Sequence, residues 1–286
     1  GGTDTKTLVW TITKKPLTLT GLTGTNKVYD GNTTATLSGT PSLVGVINSD
    51  DVSVSGTPAA TFATKIVGTA KPITVTGYTL GGTKAGNYSV SQPTGLTANI
   101  TVKALTVSGA TAQNKVYDGT NTATISGATL VGIISPDVVT VSGGGTFASV
   151  NAGTGIMVTP SLTIGGADAG NYTITQPTGL SADITKANPV FTTSAINITV
   201  GGTYALPGAN IISTSNGTLS FSMTDNAAAT LTGGNTLNGI AVGTNTLTVN
   251  QAASTNYNLG STTVSVVVST FSSGDYRSIS NGNLHS

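Results

Sequence analysis

The side chains best placed for chemistry sit in one six-residue segment that occurs twice. Asn26-Lys27-Val28-Tyr29-Asp30-Gly31 returns unchanged as Asn114-Lys115-Val116-Tyr117-Asp118-Gly119, 88 positions later. Each copy offers a carboxylate, an ammonium, a phenol and an amide. Asp30 and Asp118, with the oxygens of Asn32 and Asn121, are candidate calcium ligands, although one carboxylate per site is thin for an ion that takes about 6–8 oxygens. Lys27 and Lys115 are candidates for an isopeptide crosslink to an asparagine, with Asp30 or Asp118 as the assisting acid. Tyr29 and Tyr117 are candidate glycan contacts if their rings are exposed. Each reading has a plain structural alternative. Asp-Gly is a hairpin-turn signal with glycine at positive φ, the lysine can lie along the tyrosine with its head in water, and matched aromatics usually fill a core.

The rest of the inventory excludes most catalysis. The one histidine, His285, lies next to the C-terminus, so a Ser–His–Asp arrangement has no base in a folded segment. There is no cysteine, hence no disulfide, thiolate or cysteine zinc site. Glutamate is absent and the ten aspartates are scattered; the adjacent pair Asp50-Asp51 faces opposite ways in extended chain. No paired carboxylates suggest glycoside hydrolysis. The expectation is a protein that is not an enzyme and carries no cofactor beyond the candidate calcium. Net charge +1 gives no electrostatic case for nucleic acid. No apolar run approaches the roughly 20 residues of a membrane span. Ser142-Gly143-Gly144-Gly145 lacks the lysine and helix of a phosphate loop.

The elements that must carry these residues are strands. Only 7% of residues are charged, against roughly 25% in typical soluble proteins, so threonine, serine, asparagine and glycine make the surface polar. Good helix formers are sparse, β-branched residues are frequent, and 38 glycines supply turns.

A second landmark repeats as well. Ala85-Gly86-Asn87-Tyr88 with Gln92-Pro93-Thr94-Gly95-Leu96 returns as Ala169-Gly170-Asn171-Tyr172 with Gln176-Pro177-Thr178-Gly179-Leu180. Leu96, Ala98, Ile100 and Val102 alternate at even positions; after Lys103-Ala104, Leu105 and Val107 are odd. A one-residue slip of a period-2 pattern reverses the buried face. The expectation is that chain leaves one core and enters another at Lys103-Ala104. Leu8, Trp10 and Ile12 before Leu17 repeat the arrangement, as do Leu180, Ala182 and Ile184 before Phe191. The expected divisions are 1–15 (the end of a preceding repeat), 16–102, 103–186, 187–269 and a linker or tag-proximal tail, 270–286. Junctions this short leave little slack, which suits a rod.

The duplicated Lys-Val-Tyr-Asp-Gly segment followed by Ala-Gly-Asn-Tyr resembles the YDG domain of bacterial surface proteins. Residues 187–269, with Ile196-Asn197-Ile198-Thr199-Val200-Gly201-Gly202-Thr203-Tyr204 and Asn256-Tyr257, resemble a bacterial Ig-like domain of the MBG or Big type. The resemblance implies an all-β protein of tandem Ig-like β-sandwich domains arranged end to end. It implies secreted, adhesin-like parents at the bacterial cell surface, and it supplies no catalytic residues. The expected function is a non-catalytic stalk or adhesive spacer whose partners are neighbouring repeats of the same chain. The alternative is a carbohydrate-binding accessory region, with an extracellular glycan or host-cell ligand as partner.

Overall fold

The first repeat lays two sheets of alternating side chains against each other. In the computed structural model, which describes residues 2–270, the strands Lys15–Thr25, Thr36–Val44 and Tyr88–Ser91 form one sheet of the first repeat. Lys27–Val28, Thr97–Thr101, Gly68–Gly81 and Ser53–Phe62 form the other. Leu17, Leu19, Ile73, Val75, Ala98 and Ile100 point inward and are buried, and their neighbours along each strand face solvent. Gly21 and Gly39 oppose each other at a bulge; both have positive φ, and a Cβ on either would run into the facing backbone carbonyl. No α-helix occurs among the described residues, only the 3-10 turns Ala85–Asn87 and Ala169–Asn171.

The chain divides into two compact units. The first takes residues up to 110, with 127–143 and 161–177; the second takes 111–126, 144–160 and the chain from 178 on. In the first unit, Lys103–Ser108 pairs with Thr129–Val131 and Tyr172–Ile174. In the second, Lys115–Val116 pairs in parallel with Ser181–Thr185. Also in the second unit, Ile196–Thr199, Gly260–Ser269, Gly243–Gln251 and Leu219–Met223 make a four-stranded sheet over a core that includes Ile196, Leu237, Leu247, Val249 and Val266. Asn245, buried there, accepts the amides of Ala228 and Ala229 and donates to the Asp225 carbonyl. The protein is therefore all-β, built of tandem Ig-like β-sandwich domains. His285 and all but the first residue of the expected 270–286 tail lie outside the described residues.

The expectation of separate cores on either side of Lys103-Ala104 is corrected. Strand partners do change there, since Thr97–Thr101 pairs with Lys27–Val28 and Gly68–Gly81 while Lys103–Ser108 takes new partners. Yet Ile100 and Leu105 belong to one apolar cluster, which also contains Tyr29 and Tyr172. Parity reports which face is buried and not what buries it. Two tyrosines from successive repeats fill the space between the sheets and join the two sides.

Candidate functional site

The polar residues and the glycine of the duplicated segment each have a local task. Asn26 Oδ1 accepts the Asn99 amide (2.7 Å), tying the segment to the closing strand of its own repeat; Asn114 does the same for Asp183 (2.8 Å). Asp30 Oδ1 accepts the Asn32 amide (3.1 Å) and Asp118 Oδ1 the Thr120 amide (2.8 Å), each an Asx turn. Gly31 and Gly119 follow at φ 78° and 79°, where a side chain would be strained.

The turn is not a hairpin, and that expectation is corrected. Lys27–Val28 pairs in parallel with the closing strand, whereas Thr34, on the far side of the turn, bridges Thr61. The flanks join different partners, so the Asp-Gly pair carries the chain across instead of back.

The lysine holds that crossing together. Lys27 Nζ donates to Asp30 Oδ1 (2.7 Å), to the Asn32 and Thr34 carbonyls (both 2.9 Å) and to Asn32 Oδ1 (3.0 Å). Lys115 Nζ donates to Asp118 Oδ1 (2.7 Å), the Thr120 carbonyl (2.8 Å) and Thr120 Oγ1 (2.9 Å). The lysine side chains are only 17% and 18% exposed, so the heads are not in bulk water as the snorkelling alternative had them. Hydrogen bonds from Lys115 and Thr120 pull the Asp118 carboxyl down to about 2. Burial raises the Asp30 carboxyl, but its bonds from Lys27 and Asn32 outweigh that and leave it lowered.

This geometry bears on each candidate role. Asp30 Oδ1, the Asn32 oxygens and Asp118 Oδ1 are turned onto an ammonium, the Asn121 carbonyl accepts the Phe147 amide (2.7 Å), and no cluster of three or more acidic, histidine or cysteine ligands exists among the described residues. For the crosslink, Lys27 has an amide at hand in Asn32, but Thr120 stands in that place beside Lys115. Tyr29 is 1% exposed and offers no ring face to a sugar, so sugar stacking does not fit it.

Tyr29 instead faces the next repeat. Its ring meets the edge of Tyr172 at 5.4 Å between centroids and 76° between planes. Both hydroxyls donate to Asp137 Oδ2, at 2.7 Å from Tyr29 and 2.6 Å from Tyr172. Lys65 Nζ donates to Asp137 Oδ1 at 3.0 Å, and the Asp137 side chain is 2% exposed. The Val67 amide donates to Asn171 Oδ1 (3.1 Å). The Tyr172 hydroxyl bond lowers the Asp137 carboxyl most; burial opposes it, and Tyr29 and Lys65 add to the lowering. Burial first, then the bond to Asp137, pushes Tyr172 up to about 12. Tyr29 is raised by burial and then by Asp137.

The same joint recurs in the second compact unit. Tyr117 meets Tyr257 at 5.5 Å and 74°, and the Ala152 amide donates to Asn256 Oδ1 (2.9 Å). Asn256 Nδ2 adds a bond to Asn151 Oδ1 (3.0 Å). Aligning Phe62 with Phe147 puts Val150 where Lys65 stands, so this joint lacks that ammonium. Ala187 bridges Tyr257 in parallel, as Lys103 pairs with Tyr172 and Lys15 with Tyr88.

Sequence reasoning weighed Tyr29 and Tyr117 as glycan contacts or core and gave the Asn-Tyr pairs no task, and it missed Lys65 and Asp137. One signal was available: Asp137 follows Asp50 by 87 positions, at matching places in the two repeats. The glutamine of the repeated Gln-Pro-Thr-Gly-Leu has a task too. Gln92 accepts the Tyr78 amide and donates to its carbonyl, and Gln176 does the same at Leu162, each mimicking a strand partner.

Fold and joint together define a protein of serial β-sandwich repeats locked tyrosine to tyrosine. The YDG-domain family model matches residues 13–95 and 101–179, more than half of the chain, and the chain belongs to that family. No curated protein matches it. Among solved structures, Drosophila N-cadherin EC1-4 is similar at 10% identity and TM-score 0.30, over 90% of this chain and 76% of that one. Invasin, a bacterial integrin-binding protein, is similar at 13% identity and TM-score 0.24, over 88% and 60%. Drosophila OTK extracellular domains 3-5 align at 11% identity and TM-score 0.22, over 90% and 100%.

Proposed function

We propose that the chain is a non-catalytic structural and adhesive stretch of an extracellular bacterial surface protein, and that it works as an extended spacer. In this reading 16–102 and 103–186 are YDG repeats, 187–269 is an Ig-like domain of the MBG type, and 1–15 closes a preceding repeat. The observation that carries the reading is the joint: an edge-on tyrosine pair and an asparagine–amide bond occur at both junctions. The fused cluster at Lys103-Ala104 removes the argument from independent cores. It replaces that argument with a better one for stiffness, because a hinge there would expose two buried tyrosine rings. Solution scattering tests this directly. An elongated profile that is unchanged by moderate salt is expected, and a compact globule would refute the spacer.

A glycan-binding role draws no support from Tyr29, which is buried, or from Tyr117, whose ring packs on Tyr257. A glycan array on the whole chain separates the two readings.

A further inference from the structure

The first repeat builds, from its own residues, the half-joint that its successors use to hold the repeat before them. In the joint between the first two repeats, the receiving side consists of Asn171, Tyr172 and Asp137. The Ile134 amide donates to the Tyr172 hydroxyl (3.1 Å), which donates to Asp137 Oδ2 (2.6 Å), and the Asp137 amide turns back to the Ile134 carbonyl (2.8 Å). The first repeat builds the same arrangement from Asn87, Tyr88 and Asp50. The Ile47 amide donates to the Tyr88 hydroxyl (3.2 Å), that hydroxyl donates to Asp50 Oδ2 (2.7 Å), and the Asp50 amide donates to the Ile47 carbonyl (2.8 Å). The difference is what lies on top. Asn171 is 5% exposed with its oxygen on the Val67 amide, while Asn87 is exposed. Neither the Asn87 side chain nor Asp50 Oδ1 takes a hydrogen bond from the described residues.

We propose that Asn87, Tyr88 and Asp50 form a docking socket for a preceding repeat of the same kind. That repeat presents a lysine to Asp50 and a backbone amide to Asn87, while Tyr88, itself buried, holds the Asp50 carboxylate in place. The established joint supplies the template, and the open carboxylate oxygen supplies the charge complement to a residue placed as Lys65 is. A second observation points to the same occupant. Leu8, Trp10 and Ile12 stand nine, seven and five residues before Leu17, as Leu96, Ala98 and Ile100 stand before Leu105. In the first repeat those positions form the closing strand and two of them are core; here Trp10 is 84% exposed. Residues 8–13 are then the occupant's closing strand. With an indole where Ala98 is buried, its core must be hollower there than that of the first repeat.

The inference rests on the serial-repeat reading, and the experiment separates the two. A chain of residues 1–102 followed directly by 15–286 places a copy of the first repeat ahead of the socket, with Lys15 succeeding Val102 as Lys103 does. Amide exchange at Val67 of the added copy is read by NMR, with and without Asn87→Ala in the socket. The expected result is exchange about five- to tenfold faster in Asn87→Ala, the worth of one buried hydrogen bond. Equal rates overturn the socket. Failure of the added copy to fold overturns it also, since that copy differs from the native first repeat only in what receives it. In the natural chain, Asn171→Ala must release Val67 by a similar factor. If it does not, the joint itself is misread and the serial reading falls with it; if it does while the added copy shows no effect, the socket alone falls.

Discussion

Asp137→Asn is the sharpest test of the joint, because it changes charge and barely changes shape. The carboxylate accepts from two tyrosine hydroxyls and one ammonium while 2% exposed. A net hydrogen bond to a charged group contributes about 1.5–3 kcal/mol, against about 1 kcal/mol for a neutral one. Converting both tyrosine bonds to amide acceptors therefore removes roughly 1–4 kcal/mol. Lys65 is more than a third exposed, so its ion pair adds little to that figure. The new amide nitrogen, however, turns a donor towards its ammonium. We expect a loss of about 3 kcal/mol, which in a cooperative unit of about 150–250 residues lowers Tm by roughly 6–12 °C. The matched control is Asp50→Asn, where one hydroxyl is the only side-chain donor among the described residues to a half-buried carboxylate; its cost should stay near or below about 1 kcal/mol.

Thermal and urea unfolding of both variants at neutral pH read the difference. The acid limb provides a second reading. Asp137 has a depressed folded value, so its contribution is present above the unfolded value near about 3.9 and is lost as pH falls through the lower folded one. Asp137→Asn should flatten that limb. Equal Tm losses in the two variants would refute the claim that the joint, and not the loop, holds the charge.

At the alkaline end, Tyr172 titrates at about 12 when folded and near about 10 unfolded. Its contribution is complete below the lower value and disappears between the two; Tyr172→Phe should flatten the decline in stability over that interval. Lys27→Met or Lys115→Met strands a carboxylate and loop carbonyls, and each should cost about 1–3 kcal/mol by urea unfolding. Added calcium or a chelator should leave Tm unshifted, because the ammonium already fills the loop; a rise with calcium would restore the ligand reading of Asp30 and Asp118. Intact mass should equal the sequence mass, whereas loss of one ammonia would reveal a Lys27–Asn32 bond.

The strands and the repeat could be read in the sequence because both are local. Alternation at Leu96, Ala98 and Ile100 needs no knowledge of a partner, and Ala98 and Ile100 are buried as it requires. What faced those residues could not be read. Leu105 is fully buried in a cluster it shares with the preceding repeat, and no periodicity encodes that. The Asp-Gly signal misled for a related reason: it marks a turn correctly and says nothing about whether the strands on either side pair with each other. Asp137 was hardest to see, since its donors lie 108 and 35 positions away and only the folded chain brings them together.

The two joints share part of their contacts, and the difference is instructive. Both keep the edge-on tyrosine pair and the asparagine that accepts a backbone amide; the Lys65 ammonium belongs to the first alone. Docking geometry is thus set by two rings and one amide, and charge is an addition. That explains how residues 187–269, which lack the Asn-Lys-Val-Tyr-Asp-Gly segment, still follow a repeat that has it: they retain Asn256-Tyr257, the receiving half. In both joints the Lys-Val-Tyr-Asp-Gly tyrosine comes from the earlier segment and the Asn-Tyr from the later one. The first two repeats carry both halves and the last segment carries one, so the joint has a direction. Chain order is written in it independently of the core sequence of each sandwich.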